Sequence, residues 1–536
     1  MSDNFPPSDT AIIQRKVVIA ACFGTFLEWY DFLTFASLAT YFSTLFFPQE
    51  NPTAALLASL ATFGVGMLVR PLGAALFGSL GDKYGRRPVF IATIILMGLA
   101  TFCVGLLPTY AQVGMLAPAL LLCLRLLQGF AVGGEIGGAA VYLTEHAPTG
   151  KRGFYTSVLQ LMGPLGILVS TLQVVLLQSL LSTDDFQAWG WRVPFLLSIV
   201  LLMISIKSRV NMYESPVFLH LRDKHTLSKA PLRECLTNPR TLGRMALLFF
   251  CISAGGSLLF FSSQVYVNVY LKNVVRLDPQ LAGTLVMLST LLLFPLTIFF
   301  GWLSDRIGRR PVLLAGLLLG CLAIFPVFKG LMHYGNPALE RFNSEVAVAL
   351  YGESCFYDPF TKTSNDCERN QELLGKLGVS YTLYPSLNSA QDSATIPHTT
   401  LLRIGNSEVA GYQSTAVTQA LKAEGWTEHA DANQTDKLMI FLLLLVLLVA
   451  VGLITGPQTA TLAELFPART RYTAVALPHN LSAGWIGGMS PFMITLLSVK
   501  AGNALSGMWY PVALLTLAFV VGLIFLPETR NVSLES

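Results

Sequence analysis

The chain has 536 residues, of which 53% are hydrophobic and 12% charged, with a formal net charge of +4 and a mean hydropathy of +0.58. Soluble globular domains carry about 25% charged residues, so this composition excludes a chain built around one large soluble core. The small positive balance lies mostly in loops between apolar runs and implies no nucleic-acid partner.

The opening segment, MSDNFPPSDTAIIQRK, is polar and proline-bearing, with two acids and no small-residue cleavage site. It does not read as a secretory signal, so the first apolar run is expected to be a retained span. A bilayer core takes about 20 apolar residues per helix. Residues 438–456, 246–271 and 279–304 are all uncharged. Runs of this kind predict twelve spans, near 17–38, 54–80, 89–107, 114–142, 154–180, 193–208, 244–271, 280–303, 311–331, 438–463, 472–498 and 508–527. Backbone groups in lipid must be satisfied within their own segment, so these are helices. The alternating short strands of a membrane barrel are not seen. The expected fold class is an all-α membrane protein of twelve transmembrane helices.

Lysine and arginine orient it. With the N-terminus in the cytoplasm, the inside segments carry 21 Lys/Arg, eight of them in the central 207–244 stretch, while Lys272, Arg276 and Lys500 fall outside. Both termini are then cytoplasmic.

The sequence also repeats itself. GSLGDKYGRRPV (78–89) returns as GWLSDRIGRRPV (301–312), an offset of 223. EHAPTGKR (145–152) returns as ELFPARTR (464–471), an offset of 319. Two related six-helix halves follow, and the difference of 96 between the offsets demands an insertion in the second half. Residues 332–437 supply it, polar and with 13 Asp/Glu against 6 Lys/Arg between 333 and 436. The expected organisation is an N-terminal bundle at 1–206, a cytoplasmic linker at 207–243 and a C-terminal bundle at 244–536, interrupted by the extracytoplasmic 332–437 insertion. Cys355 and Cys367 both lie in that insertion, where an oxidising compartment favours a disulfide.

Several intramembrane groups invite a chemical role. Glu28 and Asp31 sit in the apolar first span, three residues and about 60° apart on one face. In the fourth span Arg125, Gln128, Gly129 and Glu135 fall within about 120°, and Arg70 lies in the second. Intramembrane charges are functional candidates by default. The C-terminal spans hold no acid; their candidate cavity groups are Gln264, Asn268, Gln458, His479, Asn480 and Trp485. Proton coupling is therefore expected in the N-terminal half, through Glu28, Asp31 or Glu135, with neutral recognition opposite. An acid locked to an arginine does not titrate near neutrality, whereas a buried one without such a partner can carry a proton. With three acids against two arginines, at least one acid is open to that role, and Asp31 or Glu135 is the favoured carrier. Arg70, Arg125, Gln128 and Tyr30 join the substrate-binding candidates; Arg125 is equally a partner for Glu135. His479, Tyr30 and Trp29 also read as packing residues.

The doubled loop motif resembles the signature of the major facilitator superfamily, and RLLQGFAVGGE (125–135) resembles its fourth-helix motif. EWYDF in the first span, GWRVPF (190–195), ESPVF (214–218) and PETR (527–530) narrow the resemblance to the metabolite:proton symporters. This family moves α-ketoglutarate, citrate, shikimate, or proline and betaine. The resemblance implies two pseudo-symmetric halves and a proton-coupled symporter of a small organic acid. It also implies no cofactor beyond the proton gradient, a multi-pass place in the bacterial inner membrane, and protons, substrate and the lipid bilayer as partners of a functional monomer. Asp82, Arg86 and Arg87, with Asp305, Arg309 and Arg310 in the second copy, read as a latch that closes one face, with Gly81 and Gly85 permitting its turn. A proline or betaine symporter is the alternative, weakened because no heptads follow Pro527, as is a non-transporting receptor. An enzyme is not expected: there is no H-E-x-x-H, Walker loop or metal-ligand spacing.

Overall fold

The computed structural model describes residues 7–48, 52–210, 213–352, 355, 365–384 and 400–534. Parts of the insertion, at 353–354, 356–364 and 385–399, therefore lie outside the described residues. Each apolar run becomes a helix: α1 Pro7–Phe46, α2 Pro52–Tyr84, α3 Arg86–Leu106, α4 Leu116–His146, α5 Arg152–Leu180, α6 Val193–Val210, α7 Pro239–Val274, α8 Pro279–Ile307, α9 Arg309–Gly335, α10 Lys437–Glu464, α11 Arg471–Ala501 and α12 Trp509–Phe525. Eleven of these, α2 to α12, contain stretches long and apolar enough to cross a membrane, and α1 carries the first apolar run. Most are longer than their apolar cores, because polar caps extend them. Asp278 accepts hydrogen bonds from the amides of Gln280 and Leu281 at the start of α8, Asn238 from those of Arg240 and Thr241 at α7, and Asp436 from that of Met439 at α10. Each cap satisfies an orphan donor of a first turn.

Within each half the helices interlock closely. A Cβ at Gly129 of α4 would stand 2.0 Å from the carbonyl oxygen of Gly66 in α2, and one at Gly133 would stand 2.1 Å from that of Arg70. Only glycine admits such backbone contact, and it brings Arg70 against α4. Where the halves meet, α2 packs on α11 and α5 packs on α8 and α10.

The insertion forms a compact cap. Strands β1 Val348–Gly352, β2 Thr382–Tyr384, β3 Thr400–Ile404 and β4 Ser407–Ala410 make one sheet in the order β2-β1-β3-β4. The β1–β2 pair is parallel and the others antiparallel. Val348, Leu350, Leu402 and Ile404 bury one face against Leu374, Val417 and Leu421 of the flanking helices. The Cys355–Cys367 disulfide is closed. The cap docks on the C-terminal half: Tyr381 donates from its amide to the Gly502 carbonyl at 2.8 Å, and Asp436 from its amide to the Tyr334 carbonyl at 2.9 Å.

Candidate functional site

Glu28 and Asp31 are both buried, 2% and 4% exposed, and each faces its own arginine. Arg125 of α4 donates to Asp31 at 3.1 Å, and Gln128 donates to the other Asp31 oxygen at 3.1 Å. Both oxygens of Asp31 are thus satisfied, and the Arg125 guanidinium stacks 3.7 Å from the centre of the Phe35 ring. Glu28 is held differently. Its Oε1 lies 3.2 Å from Nη1 of Arg70 in α2, yet among the described residues neither of its oxygens has a hydrogen-bond partner.

The third acid, Glu135, is buried against Arg209 and also accepts a hydrogen bond from Thr93. The count of three acids against two arginines is therefore corrected to three against three. Arg209 lies just past the sixth apolar run and inside the stretch assigned to the linker. However, α6 continues to Val210, and the side chain turns back into the bundle, where it also donates to the Phe90 carbonyl at 2.8 Å. Long basic side chains at helix ends often reach in this way.

A central cavity of about 80 Å³ lies between the halves. Trp29, Arg70 and Gln160 line it from the first half, and Phe260, Gln458 and His479 from the second. Its lining includes no carboxylate. A smaller void of about 20 Å³ holds Glu28, Asp31, Arg125 and Gln128. Among the described residues Arg70 is the one that borders both.

The remaining substrate candidates do not converge on this cavity. Tyr30 bonds Gln173 and donates to the Pro194 carbonyl at 2.8 Å, tying α1 to α5 and α6. Gln264 accepts from Thr290 at 2.8 Å, and Asn480 donates across the halves to the Gly133 carbonyl at 2.9 Å. Asn268 is not part of the cavity wall, and Trp485 is 53% exposed. For Trp485, inside a π-helical segment, the cause is helical phase. Helix α7 contains three π-helical segments, at Leu248–Ser253, Phe261–Tyr266 and Tyr270–Val274, and α11 contains one at Ala483–Gly487. Each alters which side chains face inward relative to a regular helix. His479 does face the cavity, where its Nδ1 and the Ser253 hydroxyl share a hydrogen bond of 2.8 Å.

At the end bearing the repeated loops, the halves are fastened twice over. Asp82 accepts hydrogen bonds from the amides of Tyr472 (3.1 Å) and Thr473 (2.8 Å), the first turn of α11. In the second copy Asp305 accepts from the amides of Gly153 (2.9 Å) and Phe154 (2.8 Å), the first turn of α5. A carboxylate at a helix N-terminus meets unsatisfied donors and a favourable dipole. Arg86 joins Asp82 to Glu145 and donates to the Ala468 carbonyl, and Arg309 joins Asp305 to Glu464. Arg87 and Arg310 instead stay within their own halves, donating to the carbonyls of Val210 and Leu523. Gly85 and Gly308 turn the chain at φ 115° and 109°, while Gly81 is required for close approach: a Cβ there would meet the Tyr472 ring at 2.2 Å.

Four latch acids were not picked out from the sequence as site residues. Glu145 and Glu464 had marked the repeat without a role. Glu214 accepts from the amides of Arg86 and Arg87, and Glu528 does the same for Arg309 and Arg310. Their place in ESPVF and PETR, each following a sixth helix of its half, was the available signal.

Comparisons with known proteins bear on this architecture. The protein family described as sugar (and other) transporter matches residues 17–242. The shikimate transporter of Escherichia coli (strain K12) is 38% identical over 324 residues, covering 59% of this chain and 72% of that protein. A glycine betaine/proline/ectoine/pipecolic acid transporter of Dickeya dadantii (strain 3937) is 29% identical over 534 residues, covering 97% and 85%. Among solved structures, the proton:xylose symporter bound to 6-bromo-6-deoxy-D-glucose superposes with a TM-score of 0.62 at 17% identity, over 98% of each chain, a likeness of fold. The paired loop motifs, the two six-helix halves and these relatives together make the chain a member of the major facilitator superfamily, a multi-pass membrane transporter akin to its metabolite:proton symporters.

Proposed function

We propose that this transporter is a proton symporter that imports a small organic acid by alternating access, with Arg70 taking a substrate carboxylate and Glu28 taking the proton. The observation that carries the reading is the position of Arg70. It borders both the central cavity and the void holding the acids, and the carboxylate it neutralises accepts no hydrogen bond from the described residues.

The chemistry is a competition. With the cavity empty, Arg70 balances Glu28. A substrate carboxylate in the cavity competes for the same guanidinium, which binds carboxylates through paired N–H groups. Glu28 is then a buried charge without a counter-ion, a costly state relieved by protonation. Solute and proton load together. Asp31 and Glu135, each hydrogen-bonded to an arginine, serve as standing ion pairs that position α1, α4 and α6, and are the secondary coupling candidates. Gln160, Gln458 and His479 supply neutral hydrogen bonds to the rest of the solute.

The bias of loop lysines and arginines supports a cytoplasmic latch end and an extracytoplasmic cap, and the bacterial relatives support the inner membrane as its location. One chain contains the whole cavity, which supports a functional monomer, and the proton gradient is the only driving agent required. A zwitterion such as proline or betaine is the second reading. It is favoured by Trp29, Phe260 and Phe261 in the cavity wall, since aromatic faces attract cationic groups, and by the Dickeya relative.

Uptake into proteoliposomes under an imposed inward proton gradient tests this, with mono-, di- and tricarboxylates, shikimate, proline and betaine, each with and without a protonophore. Gradient-driven uptake of an organic acid is expected, and Glu28→Gln should abolish accumulation while retaining counterflow exchange. Uptake of proline or betaine alone would move the substrate to the second reading. Normal accumulation by Glu28→Gln would remove Glu28 as the carrier.

A further inference from the structure

A second cavity, of about 570 Å³, lies at the opposite end from the latch, between the cap and the ends of α7, α8 and α11. It shares no lining residue with the central cavity and is several times larger. Tyr266 and Ser498 lie at its transmembrane side and Tyr381 on the cap side. The cap is fastened there: the Tyr381 hydroxyl donates to the Val499 carbonyl at 2.5 Å, beside its amide bond to Gly502.

Its charge is predominantly basic. Lys272 comes from the last turn of α7, Arg276 from the α7–α8 connection and His429 from the cap, against one acid, Glu372. Among the described residues Lys272 makes no ion pair. Arg276 is built into place: its backbone is left-handed, at φ 62°, a conformation that non-glycine residues rarely adopt. Its Nε donates to the Glu428 carbonyl at 2.5 Å, its own carbonyl accepts from the Ala430 amide at 3.0 Å, and its guanidinium lies 5.4 Å from the centre of the Trp426 ring. Backbone strain of this kind persists only where the surroundings enforce it, and it gathers at ligand sites. Here it holds a cation at the wall of a cavity whose remaining lining is largely apolar or neutral, including Val379 and Val499.

We propose that this cavity is a second solute site, on the cap side of the transporter, for a small organic anion. Its carboxylate lies between Lys272 and Arg276, and its carbon body rests against Val379, Val499 and Tyr381. The site shares its ligand class with the transport reading but does not depend on proton coupling, and a binding measurement separates the two.

The experiment is isothermal titration of the full chain in lipid nanodiscs with shikimate, citrate and 2-oxoglutarate, in an Arg70→Gln background that weakens the central cavity; Arg70→Gln with Glu28→Gln, which leaves neither partner of that pair charged, serves if the single variant melts early. At least one probe should still bind. Adding Lys272→Gln with His429→Gln should then weaken that binding about tenfold or more, the loss expected when charge-assisted contacts are removed. Ala504→Trp, which fills the cavity and leaves every charge in place, should remove the same binding without lowering the melting temperature. Residual binding indifferent to both changes, or no binding of any probe in either Arg70 background, overturns the site. Proton-driven uptake by the unaltered chain is scored separately, so loss of one reading leaves the other standing.

Discussion

Glu145 and Arg471 lie 2.9 Å apart although 326 residues separate them. Each belongs to one copy of the same short repeat, and the second copy does the converse, with Glu464 3.6 Å from Arg152. Glutamate and arginine of one copy therefore never meet each other; each reaches the opposite half. Closure at this end is a reciprocal exchange, and every member is buried.

Breaking that exchange should open the latch end. Glu145→Gln and Arg471→Gln should each weaken closure by about 1–3 kcal/mol, the cost of leaving a buried polar partner unmet. That is roughly a five- to 150-fold rise in the latch-open population. Distances between spin labels on the 2–3 and 10–11 loops would report it. The double variant should cost less than the sum of the singles, because both act on one interaction; strict additivity would show that the pair is not coupled.

Arg125→Gln leaves Asp31 buried with Gln128 but without its cation. Removing one partner of a buried pair costs about 3–5 kcal/mol, so the melting temperature should fall clearly. Asp31→Asn in the same chain should recover most of the loss. An Arg125→Gln protein that melts with the parent would mean that this pair contributes nothing to the bundle.

The α2–α4 crossing tolerates no added carbon. Gly129→Ala and Gly133→Ala each force the backbones apart and should destabilise by about 1–3 kcal/mol, as overpacking does. Gly64, on the same α2 helix, has open space where a Cβ would go, and Gly64→Ala should be neutral or slightly stabilising. Equal effects at all three positions, read by thermal melting, would contradict the close crossing.

The Cys355–Cys367 bridge closes a loop of 12 residues in sequence separation. Replacing both cysteines with serine should cost the cap about 3 kcal/mol in the chain-entropy view. Faster amide exchange in the Asp366–Leu377 helix, with the bundle unchanged, is the expected signature. Unchanged exchange there would make the bridge dispensable.

The helices were legible because membrane thickness imposes length and apolarity on them, and the two halves because GRRP recurs verbatim. The latch aspartates were legible for the same reason, as were Cys355 and Cys367, the pair that falls in the polar insertion. What sequence spacing did not reveal was long-range choice of partner. Nothing local to Glu145 selects Arg471 over Arg152, seven residues along, and Arg209 was hidden because its charge ended the apolar run used to draw the helix. The outward face of Trp485 was missed because regular helical phase breaks down at a π turn, which composition does not announce.

The latch also draws on a stretch that carries no motif. Arg152 donates to the carbonyl of Val532 at 2.8 Å, and Arg471 to that of Leu534 at 2.9 Å, so one short strip of main chain bridges the arginines of both copies. It contributes these carbonyls, and the Leu534 side chain anchors it against Val217 and Ala468, which makes it sensitive to displacement. A bulky segment inserted immediately after Leu534 would pull on that strip, and a flexible spacer would relieve it. How the protein is handled at the bench thus becomes a variable in which way it faces.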